Sequence, residues 1–273
     1  MHAAPPDAAA LRPVVSDFSP IAHRYDATRD VPAALLDAAY DRLRAAGLLA
    51  EGAAVLDAGC GTGQMSIPLA AAGHPVSGYD ISAAMAAIAR GKCRPGWRAR
   101  YATADVRALP EAGGAFDAVV VSKLFMHVAD WRAACRETLR VLRPGGTFVH
   151  LAERGAFANP VRRYFAAAAD ALGFVERFPG LRDRRVLVRF LEEAGCTTVA
   201  VDLADLRWEK PVVYGDVLRQ FEERLFAEFW YLPDDIYACL LRRTAAWVDG
   251  LPEGRATTAT LTPWLEADVL VRA

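Results

Sequence analysis

Short, continuous apolar runs alternate along this chain with stretches whose apolar residues recur at helical spacing. Phe116-Asp117-Ala118-Val119-Val120-Val121 is β-branched and almost unbroken, and it reads as a strand covered on both faces. Val55-Leu56, Pro75 to Asp80, Ala99 to Ala104 and Phe148 to Leu151 read as shorter strands of the same kind. Between them, Leu35, Leu36, Ala39 and Leu43 share one side of a helix that Pro32 opens and Gly47 ends. Further helices are predicted over Gln64–Ala72, from Ile81-Ser82-Ala83-Ala84-Met85 onward, and over Asp130–Leu142. Strands separated by helices are the pattern of an α/β fold with a largely parallel sheet.

The second half is less regular. Helical spacing is predicted over Phe157–Phe174, Arg185–Ala194, Val212–Trp230 and Pro233–Val248. Strands are predicted at Thr197–Leu203 and Leu261–Val271, with Pro263 near the start of the second. Aromatic residues concentrate here, among them Trp208, Tyr214, Phe221, Phe226, Phe229, Trp230, Tyr231 and Tyr237. At helical spacing most of them should be packing residues, with a few left to line a pocket.

Composition narrows the function classes. The 273 residues are 53% hydrophobic and 24% charged, as expected of a soluble globular chain. Net charge is −1, and the basic residues are almost all Arg, interleaved with Asp and Glu. A one-sided basic surface for nucleic acid is therefore not expected. No apolar run is long enough to span a bilayer, and Met1 to Pro13 lacks the pattern of a secretory signal. Residues 1–19 are expected to be a mobile tail ahead of a domain at 20–273. The five cysteines lie far apart, without metal-ligand spacing, and a reducing cytoplasm is the simpler expectation. No His/Asp/Glu grouping suggests a metal site.

The candidate chemistry begins where the first strand ends. Asp57-Ala58-Gly59-Cys60-Gly61-Thr62-Gly63 is an acidic strand end followed by a glycine-rich turn and a helix. Glycines let the backbone bend sharply and let a ligand lie against it, and the helix beyond offers unpaired N–H groups. The dinucleotide fingerprint requires a late glycine where this chain has Gln64, which counts against a nicotinamide cofactor. The next strand ends in a second acid, Asp80, whose carboxylate can accept both hydroxyls of a ribose.

The stretch D-A-G-C-G-T-G resembles the first motif of class I S-adenosylmethionine (SAM)-dependent methyltransferases. The same order continues in D-I-S-A-A-M from Asp80, in F-D-A-V-V-V-S from Phe116, and in E-T-L-R-V-L-R-P-G-G-T-F-V-H up to His150. Together these motifs cover residues ~20–151 in the family's order. The resemblance implies a doubly wound, Rossmann-like, seven-stranded and mostly parallel sheet with its last strand antiparallel. Excursions at about 154–180 and 208–250 would form a helical cap on the substrate cavity. It further implies SAM as cofactor. Asp57, the Gly59-Cys60-Gly61 turn and Ser122 would lie around it, Asp80 on its ribose, and Ile81 and Met85 against adenine. Asp105 and Val106 would stand near the adenine amino group. Tyr25 would lie over the sulfonium, and Arg29 would meet the carboxylate.

The expected partner is a small methyl acceptor with an apolar part, methylated at O, N or C, with a homodimer as a possible assembly. His127, just past the fourth strand, is the best general-base candidate. Tyr25 and His23 come from the N-terminal segment and could close over the site. His150 and Glu153 could approach the same cleft; Lys123 reads as a solvated lysine, and His74 should lie at the opposite edge. A catalytically silent SAM-binding module would carry the same glycine turn, as would, less readily, an NAD-dependent oxidoreductase.

Overall fold

The computed structural model describes residues 17–28, 31–174 and 178–273. In chain order its helices and strands are α1 (Ala22–Tyr25), α2 (Ala33–Ala45), β1 (Val55–Ala58), α3 (Ile67–Ala71), β2 (Val76–Asp80), α4 (Ala83–Lys92), β3 (Ala99–Thr103), β4 (Phe116–Val121), α5 (Trp131–Val141), β5 (Leu142–Arg154), α6 (Pro160–Asp170), α7 (Arg184–Glu193), β6 (Cys196–Val199), β7 (Lys210–Val213), α8 (Tyr214–Glu222), α9 (Asp234–Asp249), β8 (Thr258–Leu261) and β9 (Trp264–Arg272). The chain divides into two compact units. One comprises 17–153, 180–206 and 264–273; the other comprises 154–179 and 207–263.

The first unit holds a seven-stranded sheet in the order β3-β2-β1-β4-β5-β9-β6. β1 to β5 run parallel to one another, while β9 pairs antiparallel with β6. β1 and β4, in the middle of the sheet, explain themselves by composition: all of β1 is buried, as are Val119, Val120 and Val121 of β4, since such parallel strands are covered on both faces. Leu36, Ala39, Tyr40 and Leu43 give α2 a buried face at i, i+3, i+4 and i+7. One face of the sheet closes over Val119, Val121, Phe148, Leu187, Leu191 and Leu270. Strand order reverses between β1 and β4, so their carboxyl ends open a crevice where such sheets hold ligands. Those ends are the glycine turn after Ala58 and Ser122-Lys123 after Val121.

The second unit has its own core. Val161, Phe165, Leu218, Phe221, Phe229 and Leu240 are buried together, and the Phe165 and Phe221 rings stack at 4.4 Å. Most of the aromatic residues noted in the sequence, including Tyr214, Phe226 and Tyr237, are spent here on packing. The Arg162 guanidinium lies 4.5 Å from both the Phe157 and Phe226 rings and pairs with Glu228.

Several boundaries differ from the sequence reading. Gln64 to Ser66 form turns, and the helix after the glycine loop starts at Ile67. The strand expected over 261–271 is two strands: β8 pairs antiparallel with β7 in the second unit, and β9 enters the large sheet. Pro263, which has no N–H to give to a ladder, stands between them. The helix expected over 212–230 begins as β7, is helical over Tyr214–Glu222, and ends before Arg224, whose φ is +52°. Residues 1–16 of the expected tail lie outside the described residues. Ser19, also assigned to it, begins a short 3₁₀ turn that leads into α1.

Candidate SAM site

The turn after β1 is bent through Gly59, Gly61 and Gly63, with φ of +71°, +52° and +81°. This left-handed region is the one glycine enters without the strain other residues meet. The loop is sewn to β2: Gly59 and Cys60 N–H donate to the Tyr79 carbonyl at 2.8 and 3.0 Å. The Asp80 carboxylate then bridges two elements. Oδ2 accepts from Gly61 N–H and Oδ1 from Ser82 N–H, each at 2.8 Å. Burial raises the Asp80 pKa above the ordinary carboxylate value, and those two backbone bonds oppose the rise. Each carboxylate oxygen has a further lone pair, so the group can accept ligand hydroxyls while it stays anchored.

Ile81 follows at once and is 66% exposed, one of few large apolar side chains left to solvent among the described residues. An apolar side chain beside an anchored carboxylate and a glycine cradle suits a nucleoside, with its ribose on the acid and its base on the isoleucine.

The N-terminal segment is fastened across this loop. Ser19 and Ser82 hydroxyls lie 2.8 Å apart. The Thr62 hydroxyl donates to Asp26 Oδ1 at 2.5 Å, and Lys92 joins Asp26 Oδ2 at 2.7 Å and the Thr62 carbonyl at 2.8 Å. Tyr25 therefore lies over the loop, 4.0 Å from where a Cβ on Gly61 would stand. Phe18 makes edge-on contacts with the rings of both Tyr25 and His127, at 5.7 and 5.0 Å. Tyr25 and His127 are thus joined beside the glycine turn through a residue the sequence reading had left in the tail. His23 is exposed, and Arg29 lies outside the described residues.

The remaining candidates fall in different places. Asp57 is 1% exposed and accepts from the Ser66 hydroxyl at 2.5 Å, with Tyr101 Oη 2.9 Å from the same hydroxyl. It braces the loop from within. Met85 is buried in the packing of α4, and Val106 and Cys60 are buried too, with burial pushing the Cys60 thiol up. Asp105 is held by Arg107 at 2.6 Å, which lowers its pKa. The Ser122 hydroxyl is enclosed with no hydrogen-bond partner among the described residues.

His74 is buried, with Nδ1 3.1 Å from the Ala53 carbonyl, and His150 Nδ1 lies 3.1 Å from Asp268 Oδ2. Lys123 is not a solvated lysine: it pairs with Glu153 at 2.6 Å. The Asp57–Ser66–Tyr101 brace and the Asp26–Thr62–Lys92 latch were missed from sequence, because each joins residues on separate elements that only tertiary packing brings together.

Burial raises the Asp57 pKa from 3.8 to about 7. The folded state therefore holds a proton that the unfolded chain has lost, and the stabilisation is complete below about pH 4. It is lost as pH rises toward 7, a change on the order of 4 kcal/mol. Asp57→Asn keeps an acceptor for Ser66 and has no charge to bury. Thermal melts from pH 4 to 8 should show this decline in the wild type and a flatter profile in the variant. Parallel profiles would remove Asp57 as the titrating group.

A glycine cradle at the switch point of a parallel sheet, an anchored acid at the next strand end and an exposed apolar neighbour together make a candidate nucleoside site on a methyltransferase-type fold. Comparison with known proteins agrees. Residues 55–146 match the methyltransferase domain family. A demethylmenaquinone methyltransferase of Thermus thermophilus is 39% identical over 165 residues, covering 57% of this chain and 74% of the relative. One from Mycolicibacterium gilvum is 31% identical over 212 residues, covering 71% of this chain and 88% of the relative. Among solved structures, the YcgJ protein of Bacillus subtilis shares the fold with a TM-score of 0.51 at 17% identity, covering 86% of this chain and 99% of its own. The chain belongs to the class I SAM-dependent methyltransferases, and SAM is its cofactor. Among the described residues no helix is long and apolar enough to cross a membrane.

Proposed function

We infer that the enzyme methylates a small, partly apolar acceptor, with His127 as the base that takes the acceptor's proton. SAM supplies a methyl group already activated by its sulfonium, so the protein's main tasks are to align the acceptor and exclude water; alignment can supply up to ~7–11 kcal/mol. Asp80 and the Gly59–Gly63 turn hold the nucleoside end, and Tyr25 covers the turn.

The observation that carries the reading is the Tyr25–Phe18–His127 ring chain, which puts a titratable side chain from the end of β4 alongside the covered glycine loop. The relatives' names support a first candidate acceptor, the reduced form of demethylmenaquinone, an aromatic quinol with a long apolar chain. The purified protein, incubated with methyl-labelled SAM and that quinol, should release S-adenosylhomocysteine and label the ring. No label on this quinol or on any other small apolar phenol, enol or amine would refute the reading.

A further inference from the structure

The 3₁₀ turn Phe125–His127 is gripped by a stretch of chain some fifty positions further on. Gly180 N–H donates to the Met126 carbonyl at 3.0 Å, and Leu181 N–H to the Phe125 carbonyl at 2.9 Å. So short a turn has little hydrogen bonding of its own. His127 N–H reaches the Leu124 carbonyl at 2.8 Å, and Val128 N–H reaches that of Phe125 only at 3.4 Å. The turn's shape therefore depends on partners outside it, and residues 180–181 supply them as a strap.

Position 180 admits no side chain. A Cβ there would overlap the Phe125 carbonyl oxygen and stand 2.5 Å from that of Val128. Both obstacles are main chain and cannot rotate aside. At Gly59, by contrast, the obstacle is the flexible end of Leu124. Any larger residue at 180 must push the strap and the turn apart. The strap is itself fixed: Leu181 packs against the core of the first unit, and Arg184, which opens α7, pairs with Glu266 of β9 at 2.6 Å. The turn is fixed from the sheet as well, because Phe125 stacks on Phe148 of β5. Held between sheet and strap, the backbone at 125–128 sets the direction in which His127 leaves it.

We propose that Gly180 is a positioning residue for methyl transfer: lacking a side chain, it lets the strap lie against Phe125–Val128 and hold the His127 imidazole where the acceptor's proton is taken. This rests on His127 being the base and names the residue that sets the base's place. The reaction balances as before. The acceptor's proton passes to the imidazole, the acceptor atom bonds to the methyl carbon, and the S–CH3 bond breaks with its electron pair going to sulfur. A base must stand within hydrogen-bonding reach of the proton it takes, and a displacement of about 1 Å can lower the rate by about 10²-fold.

The test uses the full chain saturated with S-adenosylhomocysteine. The NMR signal of the His127 ring Cε1–H is assigned by its loss in His127→Ala. Gly180→Ala should shift that signal and leave the affinity for S-adenosylhomocysteine unchanged. With labelled SAM and reduced demethylmenaquinone, single-turnover methyl transfer should fall by roughly 10- to 10²-fold. Added to His127→Ala, the same substitution should cost nothing more, since both act through one imidazole. The NMR signal reads the inference whether or not this quinol is the acceptor. If Gly180→Ala does not fold, Leu181→Ala is read in the same way: it keeps both N–H donors and loosens the strap's hold on the core. An unmoved His127 signal in the folded variant, or losses that multiply in the double variant, would overturn the inference and leave His127 as the base. An undiminished single-turnover rate in His127→Ala would instead overturn the base, and the inference with it.

Discussion

Asp80→Ala is expected to weaken SAM binding by about 1.5–3 kcal/mol, roughly ten- to a hundredfold in Kd. The carboxylate accepts from Gly61 and Ser82 N–H at 2.8 Å each. These bonds fix its direction at the loop, so ligand hydroxyls meet a group that is already oriented. The alanine variant loses the ribose acceptor and also frees Gly61 from its anchor. Asp80→Asn keeps one oxygen acceptor and should fall between the two. Isothermal calorimetry with S-adenosylhomocysteine reads the difference directly. Affinity in the alanine variant equal to that of the wild type would remove Asp80 from the site.

His127→Ala should lower kcat by ~10²–10⁴-fold while Kd for SAM changes little, if the imidazole takes the acceptor's proton. The side chain is carried on a short 3₁₀ turn, Phe125–His127, whose Phe125 stacks on Phe148 in the sheet core. That anchoring lets the histidine be removed without moving the turn. Its ring contact with Phe18 also makes a purely structural role a definite alternative. Single-turnover kinetics with SAM bound separate the two roles: a structural histidine would change cofactor affinity or melting temperature and leave the chemical step near its wild-type rate.

The parts of this fold that were legible in the sequence are those fixed by neighbouring residues. The glycine turn had to be a turn because its backbone occupies positive φ at Gly59, Gly61 and Gly63. β4 had to be buried because its β-branched run offers no polar face. The place of Asp80 at the end of β2 followed from the strand pattern, and there its carboxylate accepts from Gly61 N–H.

What was not legible depends on register and strand order. Lys123 and Glu153 are thirty positions apart, and only the β4–β5 pairing, which places Val121 opposite His150, brings them together. Asp57 meets Ser66 and Tyr101 because β2 lies between β1 and β3. Phe18 looked like tail because nothing in its local sequence announces contact with Tyr25 and His127. Pro263 was visible as a break, yet the apolar run through it concealed a change from the two-stranded sheet to the large one.

The central claim is that the Gly59–Gly63 turn and Asp80 hold the nucleoside of SAM under Tyr25. A crystal structure with S-adenosylhomocysteine tests it most directly. The account predicts both ribose hydroxyls within hydrogen-bonding distance of the Asp80 carboxylate, adenine against Ile81, and the sulfur beneath Tyr25 on the side that faces His127. A ribose bound away from Asp80, or a sulfur turned away from the end of β4, would contradict it.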